Sequence, residues 1–163
     1  MNNLKQLAIK KLADRGISTR DIAEITYQLQ STYDNTLTID FCEEIILNVL
    51  EKREVTHAIL TGIALDESAE KNIFDKELND IIKEDEPLFG IDEILALSIV
   101  NVYGSIALTN FGYVDKLKPL IIGKIDKMGK QQIACNTFLD DIIGAIAAAA
   151  ASKIAHEKNK NED

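Results

Sequence analysis

The chain is poor in residues that interrupt or staple a fold, with two prolines, eight glycines and two cysteines among 163 residues. So few breakers argue against a many-turned sheet protein and leave room for long helices. Cys42 and Cys135 stand 93 positions apart, and neither has a second ligand at metal-binding spacing. They predict two reduced, partly buried thiols and a cytoplasmic location. Basic residues are also in deficit, 18 Lys and Arg against 27 Asp and Glu, for a net charge of −9. With no basic stripe to displace phosphate counterions, nucleic acid is excluded as a partner. The same deficit disfavours anionic membrane surfaces, so membrane contact is weak or absent and at most peripheral. The opening stretch Met1 to Gln6 lacks the apolar core of a signal peptide, and nothing repeats at a fixed period.

What is abundant is alanine, concentrated near the end. Ten consecutive residues, Ile142 to Ala151, carry no polar side chain, and alanine is the strongest helix former, which predicts a helix apolar on every side. Ten residues span roughly 15 Å, about half a bilayer core, which suits the middle of a bundle better than a membrane. Thr137 followed by Asp140 fits a capping pattern, placing Asp140 and Asp141 in the first turn of a central helix over about 137–158.

Upstream, apolar residues recur at helical spacing. Leu4, Leu7, Ala8 and Leu12 form a short amphipathic stripe ended by Gly16. Ser18 with Asp21 is a capping signal for a helix through Ile22, Ile25 and Leu29. After a turn at Asp34, a helix from Thr38 carries Phe41, Cys42, Ile45, Ile46 and Val49, and another from Glu54 to about Asn72 ends in an exposed charged segment. Asn79 to Pro87 reads as an acidic connector with at most a helical turn, a hinge between an amphipathic half (1–86) and an apolar half (90–158) of a single domain. From Ile94 to Val114 no charge appears over 21 residues. Ser98, Asn101, Ser105, Thr109 and Asn110 interrupt that run, so it predicts a buried or subunit-interface helix rather than a membrane span, and with it a homo-oligomer. Pro119 suits the first turn of a helix through Ile121, Ile122 and Ile125, followed by a polar loop over 127–136.

Carboxylates recur where these apolar segments begin or turn back: Asp92 with Glu93, Asp115, and Asp140 with Asp141. An antiparallel arrangement brings such ends together, and five converging carboxylates repel strongly unless a hard cation such as Mg²⁺ joins them. Acids at helix N-termini also complement the macrodipole with no ligand at all. Other motifs are weaker. Asp34 to Thr38 approaches an aspartyl-phosphate signature, but a helix precedes it where that motif needs a strand. Gly123 to Lys130 has the wrong spacing for a phosphate loop, Gly104-Ser105 lacks the pattern of a nucleophile elbow, and His57 and His156 read as structural or solvated.

Taken in order, Asp92-Glu93 before an apolar helix, Asp115 with Lys118-Pro119, and Leu139-Asp140-Asp141 before a small-residue helix resemble the phosphatidylglycerophosphatase A family over about 90–151. The resemblance is to a soluble branch, because 1–86 lacks a hydrophobic, glycine-rich half. It implies a Mg²⁺-dependent phosphatase acting on a phosphorylated lipid headgroup. Asp92, Glu93, Asp115, Asp140 and Asp141 become candidate metal ligands, and Asp92, Asp140 and Lys118 candidate catalytic groups. The acidic composition favours a phosphorylated small molecule, or the lipid only when dispersed. The alternative is a non-catalytic, metal-stabilised oligomeric helical protein. In either case the fold expected is all-α, a multihelical bundle with the central apolar helix surrounded by five or six others.

Overall fold

The computed structural model describes residues 2–162, and among them it places nine α-helices and no strand. They are α1 (Asn2–Asp14), α2 (Thr19–Gln30), α3 (Ile39–Val49), α4 (Arg53–Glu70), α5 (Lys76–Lys83), α6 (Ile91–Val100), α7 (Ser105–Leu117), α8 (Ile121–Lys130) and α9 (Leu139–Glu162). The all-α expectation holds, with more and shorter helices than the apolar periodicity predicts. Helix α9 is the hub: α2, α3, α4, α6, α7 and α8 all pack on it, and Ala145 to Ser152 are wholly buried. Alanine makes that crowding feasible, since a methyl side chain lets neighbouring backbones approach closely.

Local signals act where the sequence places them. Ser18 Oγ accepts the Asp21 amide while Asp21 Oδ2 accepts the Ser18 amide at 2.7 Å, closing the capping box of α2. Thr38 Oγ1 accepts the Phe41 amide and starts α3. Gly62 marks the close approach of α4 to α9, since a β-carbon there would lie 3.3 Å from Phe138 Cβ and 2.1 Å from the end of the Ile142 side chain.

Four expectations are corrected. The uncharged run is not one helix: it breaks at Asn101–Gly104, where Gly104 adopts φ 86°, and α7 restarts at Ser105. In keeping with the reading against a membrane span, no described helix is long and apolar enough to cross a membrane. The supposed acidic connector begins inside α5, which is anchored by buried Asn79 and Ile82. The polar loop begins after Lys130 rather than at Lys127, because Ile121, Ile122 and Ile125 seat α8 while its lysines face outward. The charged end of α4 is not all exposed: Asp66 is wholly buried.

Candidate functional site

The first turn of α9 opens into a cleft of about 200 Å³, whose lining includes Asp85, Pro87, Gly90, Asp92, Glu93, Asp115, Lys118, Asp140 and Asp141. All six residues singled out from the sequence therefore meet at one place. Asp92 comes from the first turn of α6, Asp115 from the last turn of α7, and Lys118 from the left-handed cap that ends α7, at φ 47°. Asp92, Asp140 and Asp141 are buried, Asp115 is half-buried, and Glu93 is exposed at the rim.

Lys118 sits in the middle. Its Nζ donates to Asp115 Oδ1 at 3.1 Å and to Asp140 Oδ2 at 3.0 Å. Burial alone would lower the ammonium pKa, but Asp140 and Asp115 outweigh it and hold Lys118 charged. Gly123 supports that cap, because a β-carbon at its position would meet the Lys118 carbonyl oxygen at 2.6 Å.

The two acids of α9 face different neighbours. Asp140 lies in a triad with Asp85 and Asp126, their carboxylate oxygens within 4.8 Å of one another. The Asp141 carboxyl faces two further acids of the cleft, Asp92 and Asp115, and both push its pKa up. Burial pushes both carboxyls above the usual range; Lys118 opposes this at Asp140, whereas the charges of Asp140 and Asp92 reinforce it at Asp141. Asp85, exposed at the edge of the cleft, is raised as well, by partial desolvation of its carboxyl and by Asp92. Lys118 at Asp140 and Lys130 at Asp126, 2.8 Å away, offset part of this charge, and a shared proton or a bound cation would offset more of it. The donor set is all oxygen with no thiol or imidazole, which matches a hard divalent ion such as Mg²⁺. The carboxylates close enough together to hold it are those of Asp85, Asp126 and Asp140, of which the sequence singled out only Asp140; Asp92, Glu93, Asp115 and Asp141 line the adjoining cleft without forming such a group among the described residues.

Sequence reasoning missed Asp85, Asp126 and Asp66. Asp126 lies four residues after Ile122, and Asp66 continues the stripe of Ile59, Gly62 and Ile63, so both fall on apolar faces where an acid is conspicuous. Asp66 also replaces an expected cap. Its Oδ1 accepts the Phe138 amide and its Oδ2 the Leu139 amide, each at 3.0 Å. Thr137, expected to cap α9, instead donates its hydroxyl to the Ile82 carbonyl. Beside this cap, Glu70 Oε1 accepts the Cys135 amide at 2.8 Å and pairs with Arg15 at 2.8 Å. Arg15 in turn donates to the Cys135 carbonyl and to Asn136 Oδ1. Burial raises the Asp66 carboxyl to about 7, against the pull of the two amides and of Arg15.

The weaker candidates lie elsewhere. Asp34 accepts the Thr36 amide in a turn after α2, His57 and His156 are exposed, and Gly123 to Lys130 is helical. Cys42 and Cys135 are both buried and free.

Comparison with known proteins extends the likeness beyond 90–151. The family model for phosphatidylglycerophosphatase A matches residues 15–156, and so takes in Arg15, Asp66 and Glu70 of the amphipathic half as well as the cleft. The Bacillus subtilis protein YpjQ is 48% identical over 163 residues, covering 100% of this chain and 90% of its own. Two solved structures share the fold throughout. The low temperature requirement C protein of Listeria monocytogenes superposes with a TM-score of 0.92 at 52% identity, covering 96% of this chain and 97% of its own. A protein of unknown function from Bacillus stearothermophilus gives 0.90 at 54% identity, with 94% of each chain covered. By this match, which spans both the acidic cleft and the helices that hold it, the chain belongs to the phosphatidylglycerophosphatase A family.

Proposed function

We propose that the protein is a divalent-cation-dependent phosphomonoester hydrolase acting on an amphiphilic phosphate, of which a phosphorylated glycerol headgroup is the family's example. The observation that carries this reading is the convergence of Asp92, Asp115, Asp140 and Asp141 around Lys118 in one cleft. When bound, Mg²⁺ supplies neutralisation of the phosphate charge. Lys118, already charged and held between two carboxylates, is placed to take a phosphate oxygen. Asp140, raised out of the ordinary carboxylate range by burial, is suited to accept the proton of an attacking water. The water oxygen then bonds to phosphorus as the ester P–O bond breaks, and a proton ends on the departing alcohol.

The rim supports the amphiphilic part. Leu88 is 91% exposed, Ile91 50%, Leu117 53% and Leu120 51%, and each lies within three residues of a position lining the cleft. Exposed apolar side chains close in sequence to the residues of a polar cleft suit a substrate with a phosphate at one end and hydrocarbon at the other. Net charge −9 still disfavours landing on an anionic bilayer, so the substrate expected is dispersed rather than packed in a vesicle. The test compares phosphatidylglycerophosphate in neutral detergent micelles, the same lipid in anionic vesicles, and glycerol phosphate, each with Mg²⁺ and with EDTA. Turnover fastest in micelles and abolished by EDTA is expected. No Mg²⁺-dependent release of phosphate from any of the three overturns the proposal in favour of a structural role for the acids.

A further inference from the structure

We propose that Asp66 is a positioning residue for the cleft: from α4 it fixes the first turn of α9, and with it Asp140 and Asp141, by accepting both amides that precede them. The inference rests on the cation-dependent reading of that cleft. Helix N-termini leave amides without partners, and the usual acceptor is a side chain a few residues before the helix. Here the nearest candidate, Thr137, is turned away onto the Ile82 carbonyl. Both amides go instead to a wholly buried carboxylate 72 and 73 positions upstream. Two acceptor oxygens are needed, one for Phe138 and one for Leu139, which a carboxylate has and an amide or hydroxyl lacks.

The consequence for the site is geometric. Asp140 and Asp141 lie in the first turn of α9, so fraying at its starting point would release both from their places beside Lys118, Asp92 and Asp115. Tying Phe138 and Leu139 to α4 sets that starting point by tertiary structure. Arg15 and Glu70 hold the lead-in, clasping both the amide and the carbonyl of Cys135. Residues that orient metal ligands without touching the ion control affinity through such preorganisation.

The test is Mn²⁺ titration of the intact chain, read by calorimetry, with wild type, Asp66→Asn and Thr26→Val compared. Thr26 is the control because its hydroxyl bonds the Ala147 carbonyl on the same helix but far from the cleft. Asp66→Asn is expected to raise the Mn²⁺ dissociation constant at least about tenfold, with the half-saturating Mn²⁺ for hydrolysis moving in parallel. Thr26→Val is expected to lower the melting temperature and leave Mn²⁺ affinity in place. Folded Asp66→Asn protein with wild-type affinity overturns the proposal, as does Thr26→Val weakening Mn²⁺ equally. Should Asp66→Asn fail to fold, Arg15→Lys loosens only the outer clasp and is expected to raise the constant about threefold; unchanged affinity there also overturns it. Wild type that binds no Mn²⁺ overturns the cation reading itself, and this role with it.

Discussion

Lys118 Nζ lies 3.0 Å from Asp140 Oδ2, joining the cap of α7 to the first turn of α9 across 22 positions of sequence. Asp140 is almost fully buried and Lys118 half-buried, so removing the cation strands a carboxylate in a dry setting. Lys118→Met is expected to cost about 1–3 kcal/mol at pH 8. The loss shrinks at pH 5, where a protonated Asp140 no longer needs the ammonium. Urea denaturation at the two pH values checks both statements, and if Lys118 takes a phosphate oxygen as proposed, phosphate release should fall in step.

A quieter route to the same failure runs through Gly123. A β-carbon there would sit 2.6 Å from the Lys118 carbonyl oxygen, and backbone cannot step aside as a side-chain end can. Gly123→Ala is therefore expected to destabilise by about 1–3 kcal/mol and to lower activity by moving Lys118. Gly112, within α7, has nothing within 4 Å of its would-be β-carbon. Gly112→Ala is expected to stabilise by roughly 0.5–1 kcal/mol through helix propensity alone. Opposite shifts in melting temperature for the two alanines are the result to look for.

The buried acids make stability depend on pH in a fixed direction. Asp66 has its carboxyl raised to about 7 in the folded chain, against an ordinary value near 3.9, so the fold binds its proton more tightly than the unfolded chain does. Its contribution is complete below about pH 4 and fades as pH rises towards 7. Asp140 and Asp141 are shifted the same way. In EDTA the melting temperature should thus fall between pH 5 and pH 8, and Mg²⁺ should restore most of the loss at pH 8. At 100 times its dissociation constant the ion adds about 2.7 kcal/mol. Asp141→Asn should melt higher than wild type at pH 8 without metal, because a repelling acid is gone, and should lose the Mg²⁺ response. Superimposable wild-type melts with and without Mg²⁺ would contradict the cation site.

These expectations draw on residues that were legible in the sequence to different degrees. The Ser18–Asp21 cap and the alanine-rich hub are local patterns, fixed by neighbours within a turn or by composition. Asp92, Glu93, Asp115, Lys118, Asp140 and Asp141 were legible as an ordered set beside apolar helices. The break at Asn101–Gly104 was hidden because an apolar run reports burial and says nothing of continuity. Asp85 sits at φ 51° just after α5, a helix that the polar composition of 79–87 obscured. Asp66 and Arg15 act on residues more than 70 positions away, and such pairings follow from packing, which periodicity alone does not specify.

The exposed leucines beside the cleft-lining positions, taken as a rim, yield a prediction that separates substrate handling from folding. Leu88 and Leu117 are 91% and 53% exposed, so exchanging them for polar residues removes little packing. Surface changes of this kind alter stability by about 0.5 kcal/mol or less. If the rim receives the hydrocarbon of an amphiphilic phosphate, Leu88→Gln with Leu117→Gln should raise KM for phosphatidylglycerophosphate in micelles several-fold and leave kcat nearly unchanged. That pattern is expected because the lost contact acts equally in the ground and transition states. Hydrolysis of glycerol phosphate, which has no hydrocarbon tail to place, should be unaffected by the same pair of changes. Equal losses on both substrates would mean that the rim shapes the cleft rather than the lipid. A drop in kcat with KM unchanged would place these leucines in the ordering of Asp92 or Lys118, their close neighbours in sequence.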